Sequence, residues 1–196
     1  MIVYPVVEIF TSVQGEGTHM GKGADFIRLA GCNLRCAWCD TRHSFDIDQA
    51  ERLTAAEIIL KADFNQPMTI ITGGEPTLYD LGELVAALKA RGKYVALETN
   101  GTNNVPPKWG IDWITVSPKP DSGYAVNCRA DELKYVADEV LGIDSIKTDL
   151  VLPDRIYLQI ESGKQVSKQK ALDMVLGNPH LRLRIGLQMH KALDIE

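Results

Sequence analysis

Apolar residues along the chain fall into short runs, most of them too short to be helices. Tyr4 to Phe10 and Asp25 to Ala30 read as early strands. Met68 to Thr72, Tyr94 to Thr99, Trp113 to Val116, Ile156 to Ile160 and Leu181 to Gln188 read the same way. Three of these runs stop at Gly73-Gly74, Asn100-Gly101 or Ser117-Pro118, residues that break regular structure. Segments of helical character lie between them. Leu53 to Ala62 begins with Thr54 as an N-cap, and Glu57 three residues later completes a capping box. Leu81, Leu84, Val85 and Leu88 recur at helical spacing ahead of Gly92, where a C-cap belongs. Glu132 to Val140 and Lys168 to Leu176 complete the expected helices. Strands alternating with helices predict βαβ units and a parallel sheet.

In such α/β folds, ligands gather at the carboxyl ends of the strands. Gly73-Gly74-Glu75, Asn100-Gly101 and Ser117-Pro118-Lys119 all follow strands, so they predict one shared site. A chain of 196 residues suits a single domain around one core. No apolar run approaches the ~18 residues needed to span a bilayer. Met1 to Phe10 alternates like a strand and lacks the pattern of a secretion signal, so the expected location is the cytoplasm. The net charge of -5, without a block of Lys or Arg, argues against nucleic acid as a direct partner.

Four cysteines change the picture, because three of them fall within eight positions: Cys32, Cys36 and Cys39. Clustered cysteines in a cytosolic chain bind metal or do redox chemistry more often than they form disulfides. Three thiolates on one loop can hold three irons of a cubane cluster, leaving the fourth iron open to a ligand. Structural zinc is the competing reading, with His43 as a fourth ligand. Cys128 stands apart and reads as a small buried hydrophobe.

The spacing Cys32-x3-Cys36-x2-Cys39, with Trp38 before the last cysteine, resembles the radical S-adenosylmethionine (SAM) signature. Gly73-Gly74-Glu75-Pro76 resembles the glycine motif of that superfamily. Further segments are similar to the 7-carboxy-7-deazaguanine synthase family: Ile9 to Gly17, Phe26 to Cys32, Cys39-Asp40-Thr41, Leu97 to Gly101, Ser117 to Pro120 and Leu187 to Lys191. The resemblance implies a modified, partial (β/α) barrel of the radical SAM type. It implies a [4Fe–4S] cluster, SAM and Mg2+ as cofactors, a homodimer, and a flavodoxin-type electron donor. The implied reaction is the ring contraction of 6-carboxy-5,6,7,8-tetrahydropterin to 7-carboxy-7-deazaguanine with loss of ammonia, SAM being regenerated.

The same resemblance assigns residues. Cys32, Cys36 and Cys39 would hold the cluster, and Thr41 the magnesium ion. Trp38, Cys39, Asp40, Gly74, Glu98, Ser117, Pro118, Lys119 and Gln159 would contact SAM. Val13, Gln14, Gly15, Glu16, Arg28, Thr72, His190 and the carboxyl-terminal Glu196 would contact the pterin. The chemistry suits these types: Arg28 offers a planar fork to a carboxylate, and Glu16 accepts from ring N–H groups. Structural readings compete, with Arg28 as half of a surface ion pair, Thr41 as a turn cap, Glu98 to Gly101 as a plain strand exit and His190 as a structural histidine. Trp109 and Trp113 read as packing.

The chain departs from the family pattern at its end, Asp194-Ile195-Glu196, where a terminal proline is expected. It also departs at Ile160-Glu161-Ser162-Gly163 and at Met189. Glycyl-radical enzyme activating proteins share the cysteine spacing, but they usually carry an Asp-Gly-Pro-Gly-like segment before the cluster. This chain has Gln14-Gly15-Glu16-Gly17 instead.

Overall fold

A computed structural model describes residues 1–161 and 164–195. Ser162, Gly163 and Glu196 lie outside them, so the substrate contact expected of Glu196 and part of the Ile160–Gly163 departure do too. Nine strands form one sheet: β1 (Val3–Val13), β2 (Gly23–Leu29), β3 (Glu51–Thr54), β4 (Met68–Gly73), β5 (Tyr94–Thr99), β6 (Trp113–Val116), β7 (Glu132–Val136), β8 (Ile156–Gln159) and β9 (Arg184–Gly186). The order is β3-β1-β2-β4-β5-β6-β7-β8-β9. β1 runs antiparallel to both β2 and β3, and every later pair is parallel. The end strands β3 and β9 do not pair, which makes this an open, partial barrel.

The helices are α1 (Ala55–Lys61), α2 (Gly82–Ala90), α3 (Gln165–Gly177) and α4 (Met189–Leu193). Thr54 caps α1 through the expected capping box with Glu57. Leu53 is not helical: it belongs to β3, where it pairs with Tyr4. Among the described residues, the crossovers from β5 to β8 carry only 3-10 turns in place of α-helices.

The expected helix over Glu132 to Val140 is the main correction, since Glu132–Val136 is the parallel strand β7. Its charged residues alternate with apolar ones at a period of two. Leu133 and Tyr135 face the outer core, while Glu132 and Lys134 hydrogen-bond with residues of the barrel interior. Polar residues facing inward resemble the polar face of a helix, and that misled the periodicity. Likewise, the last strand covers only Arg184–Gly186 of the expected Leu181 to Gln188, and Gln188 instead caps the unexpected α4.

Alternation along the strands makes two cores. Outward residues such as Ile27, Leu29, Ile71, Leu97, Val116, Leu133 and Leu158 pack against the helices and crossover loops. Inward residues form a small floor of Ala24, Met68, Ile70, Ala96 and Trp113 with Phe26 against it. Further up the same inner face, toward the carboxyl ends, the side chains turn polar: Arg28, Thr72, Glu98, Ser117, Lys134 and Gln159 line a cavity. The floor explains Trp113 as packing, and Trp109 lies against the outer core. Cys128 also packs there, partly buried. Among the described residues, no helix is long and apolar enough to cross a membrane.

Because Leu133 is fully buried on the outer face of β7, Leu133→Ala should lower unfolding free energy by about 2–5 kcal/mol in urea titration.

Candidate active site

The cavity at the strand ends has a volume of about 490 Å³, within the range of small-molecule sites. The connection between β1 and β2 dips into the barrel to build its floor. The Thr18 amide donates to Glu132 at 2.8 Å, and the His19 ring lies 4.6 Å from that of Trp113. Gly17 makes this possible, with φ of 66° and no room for a Cβ against the Glu132 carboxylate. The loop thereby carries Gln14 and Glu16 onto the inner faces of β5 and β7.

There Lys134 sits between two carboxylates. Its ammonium donates to Glu16 Oε2 at 2.5 Å and to Glu98 Oε2 at 2.9 Å. The Lys134 side chain is only 10% exposed, and its partners 14% and 19%. Burial works against the lysine charge, but Glu16 and Glu98 outweigh it and hold Lys134 protonated well above its ordinary pKa. Burial also opposes charge on Glu16, yet Lys134 and the Gln188 amide pull its pKa below the usual value. Glu98 shares the same cation, and for it burial prevails, so its pKa is raised. Gln14 Nε2 donates to Glu98 Oε1 at 3.0 Å and Gln188 Nε2 to Glu16 Oε1 at 2.9 Å. Each carboxylate oxygen still has lone-pair capacity for a ligand donor.

The cysteine loop forms the opposite wall. Cys32, Cys36 and Cys39 are free thiols, each partly exposed and each lining the cavity. Burial pushes the Cys36 thiol up to about 11, so binding iron as thiolate must release a proton. Several ties fix the loop. Trp38 Nε1 donates to the buried Asp138 at 2.9 Å, just beyond β7, while Lys119 Nζ lies 4.8 Å from the Trp38 ring. Asn100 Nδ2 donates to Asn33 Oδ1 at 2.9 Å. The amides of Gly74 and Glu75 donate to Leu29 O at 3.1 Å and Gly31 O at 2.7 Å. A Cβ on Gly74 would overlap the Gly31 carbonyl, so this glycine lets the strand end lie against the first cysteine. The Glu75 carboxylate, fully buried, accepts from Thr77, Thr99 and the Asn100 amide and locks both turns.

Almost every residue expected of the site meets in this one cavity. Val13, Gln14, Gly15, Glu16, Arg28, Thr72 and His190 line it, as do Trp38, Asp40, Thr41, Gly74, Glu98, Ser117, Lys119 and Gln159. Among the described residues Pro118 is the exception: it is buried but does not line the cavity. Lys134 was missed because its strand read as a helix. Gln188 and Lys191 were missed although they flank His190 in the sequence. Lys191 Nζ donates to Asp40 at 2.7 Å and Gln188 Nε2 to the same carboxylate at 3.2 Å, and these partners hold the carboxyl of the half-exposed Asp40 well below the usual carboxylate range. Phe10, Phe26 and Phe45, also on the wall, had no sequence signal separating them from core residues.

Residues 26–117 match the Radical SAM superfamily, which is the class that this barrel and cysteine loop define. The 7-carboxy-7-deazaguanine synthase of Bacteroides thetaiotaomicron is 40% identical over 189 residues, 96% of each chain. That of Escherichia coli is 31% identical over 98% of this chain and 99% of its own. The crystal structure of QueE from Escherichia coli matches with a TM-score of 0.77 at 31% identity, over 96% of this chain and 95% of that one. The chain belongs to the 7-carboxy-7-deazaguanine synthase family, and as a radical SAM protein it uses a [4Fe–4S] cluster and SAM.

The residues present fit those groups. Among the described residues, no three His, Cys, Asp or Glu side chains converge as one metal ion would require. A cubane asks for no such convergence, since each thiolate takes its own iron. Gln159, 4% exposed, has neither amide atom hydrogen-bonded among the described residues and lines the cavity, so a bound ligand edge can satisfy both. Lys119 is a half-buried cation whose hydrogen bond goes to the neutral Ser117 Oγ, and desolvation lowers its pKa. It suits a carboxylate brought in by a cofactor.

Lys134→Met should cost about 3–5 kcal/mol at neutral pH, because it leaves two buried carboxylates without their cation. Both carboxyl pKa values should then rise, so the native state takes up protons before the unfolded state does. The variant should therefore gain stability relative to wild type as pH falls from neutral toward 5, read by denaturant titration at each pH. Gly74→Ala, which must push the Gly31 carbonyl away, should lower iron content after cluster reconstitution at a stability cost of about 1–3 kcal/mol.

Proposed function

We propose that this chain converts 6-carboxy-5,6,7,8-tetrahydropterin to 7-carboxy-7-deazaguanine with loss of ammonia, a step toward queuosine and other 7-deazapurines. The observation that carries the reading is the 40% identity, over 96% of both chains, to a 7-carboxy-7-deazaguanine synthase. When bound, the cluster and SAM supply a 5′-deoxyadenosyl radical, which removes and later returns a substrate hydrogen.

The chain's own residues bind and orient. Cys32, Cys36 and Cys39 hold the cluster from one wall. Gly74 through its backbone, Lys119, Ser117 and Gln159 hold SAM along the ends of β4, β6 and β8, with Trp38 and Asp40 beside the cluster and Glu98 accepting from a hydroxyl. Pro118 acts at one remove by keeping Ser117 extended. On the β1–β2 side, Arg28 and His190 take the pterin carboxylate. Glu16, kept ionised by Lys134, accepts from the guanidine-like ring edge. Val13, Gln14, Gly15 and Thr72 complete the pterin contacts, and Glu196 is assigned to the same ligand. Thr41 offers a hydroxyl oxygen to Mg2+, an ion that commonly fills its shell with substrate and water oxygens. Such close orientation of two ligands lowers the barrier by removing translational freedom before reaction. The family resemblance supports a cytoplasmic homodimer reduced by a flavodoxin-type donor.

Anaerobic turnover tests this. Reconstituted protein with SAM, Mg2+, reductant and 6-carboxytetrahydropterin should form 7-carboxy-7-deazaguanine in excess of the SAM supplied, read by mass spectrometry. Cleavage of SAM with the pterin untouched would keep the superfamily chemistry and refute the substrate.

A further inference from the structure

Arg28 is held from behind. Glu8 on β1 lies directly opposite Arg28 on β2 in the antiparallel register, just past a shift in pairing between Val6 and Glu8. Its Oε1 accepts from Arg28 Nε at 2.5 Å. Arg28 lines the cavity and Glu8 does not. The Arg28 side chain is 19% exposed, and its guanidinium carbon lies 5.6 Å from the centre of the Phe10 ring. His43 Nε2 stands 3.6 Å from the same Glu8 oxygen, on the outer side of the pair.

A guanidinium has five N–H donors in a fixed plane. Glu8 occupies the single Nε–H, and no further hydrogen bond from the Arg28 guanidinium is made among the described residues. The two terminal nitrogens, the edge that matches a carboxylate in a parallel pair of bonds, are left for a ligand. Anchoring through Nε, with the Phe10 ring beside the guanidinium, fixes that edge before any ligand arrives. A side chain already fixed loses less conformational freedom on binding.

We propose that Glu8 is a positioning residue for substrate binding: it orients Arg28 so that the free edge of the guanidinium receives the carboxylate of the pterin. This rests on the reading of Arg28 as the carboxylate's partner. Glu8 touches no substrate itself. The competing view of Arg28 as one half of an ion pair is thereby absorbed, because the pair is the device that aims the arginine.

Steady-state kinetics of the reconstituted holoenzyme test the proposal, with the thermal midpoint and iron content of each variant measured alongside. Glu8→Ala should raise KM for 6-carboxytetrahydropterin about tenfold, a change of ~1.4 kcal/mol, with kcat within about twofold and KM for SAM unchanged. Glu8→Gln keeps an acceptor for Nε–H and should stay within about threefold of wild type. If Arg28→Ala raises the pterin KM and both Glu8 variants leave it alone, the positioning role is refuted and the reading of Arg28 stands. An unchanged pterin KM in Arg28→Ala refutes that reading and the inference with it. Equal losses in kcat and both KM values in Glu8→Ala and Glu8→Gln, with a lowered thermal midpoint, would mark Glu8 as merely structural and overturn the proposal.

Discussion

The site depends on one buried cation. Lys134 reaches from β7 into the barrel and neutralises Glu16, which arrives on a loop, and Glu98, which stands on β5. Without it, two desolvated carboxylates would face each other, and repulsion at such range in a protein interior is worth several kcal/mol. With it, the β1–β2 loop is drawn inward and two carboxyl groups are presented to the cavity, Glu16 with its pKa held below the usual value. Buried ion pairs are weak evidence for stability in general, because desolvation offsets the attraction. Their use here is geometric: three separately coded segments share one point.

The inner face of the barrel is graded, and the grading follows from alternation. Ala24, Met68, Ile70, Ala96 and Trp113 fill the lower layers, where water must be excluded. Arg28, Thr72, Glu98, Lys134 and Gln159 stand above them, Thr72 and Glu98 two residues and Arg28 four residues further along their strands. A strand cannot change which face a residue occupies without a bulge. The site is therefore addressed by counting in twos from the apolar floor, and the outer face can be optimised for packing independently. The cysteine loop is set against this wall by ties that reach β7, β5 and the end of β4.

That logic also explains what could be read in the sequence. The strands Tyr94 to Thr99 and Trp113 to Val116 were legible to the residue, since apolar runs closed by turn residues have few other solutions. The cysteine loop and the glycine motif were legible because the chemistry restricts spacing. Strand β7 was not: a buried strand whose inward positions are Glu132 and Lys134 breaks the expectation that inward means apolar. Its charges are met by partners over a hundred positions away in Glu16 and Thr18, 36 away in Glu98 and 17 away in Thr115. Gln188 and Lys191 were hidden for the same reason. Their roles depend on Asp40 and Glu16, with which they share no local pattern.

The open barrel raises a final question, that of how its gap is managed at the ligand end. β9 ends at Gly186, and its outer edge finds no strand partner among the described residues. The segment that follows crosses to the other side of the gap: the Met189 amide donates to Gly15 O at 2.9 Å, at the exit of β1. Gln188 then donates to Glu16 and Asp40 together, and Lys191 to Asp40 and to the Gln188 oxygen. A line of polar contacts thus runs from Lys134 through Glu16 and Gln188 to Asp40 beside the last cysteine. The carboxyl-terminal segment does at the rim what a closing strand would do along a full barrel. It does so with side chains rather than a backbone ladder, so closure and ligand recognition use the same residues.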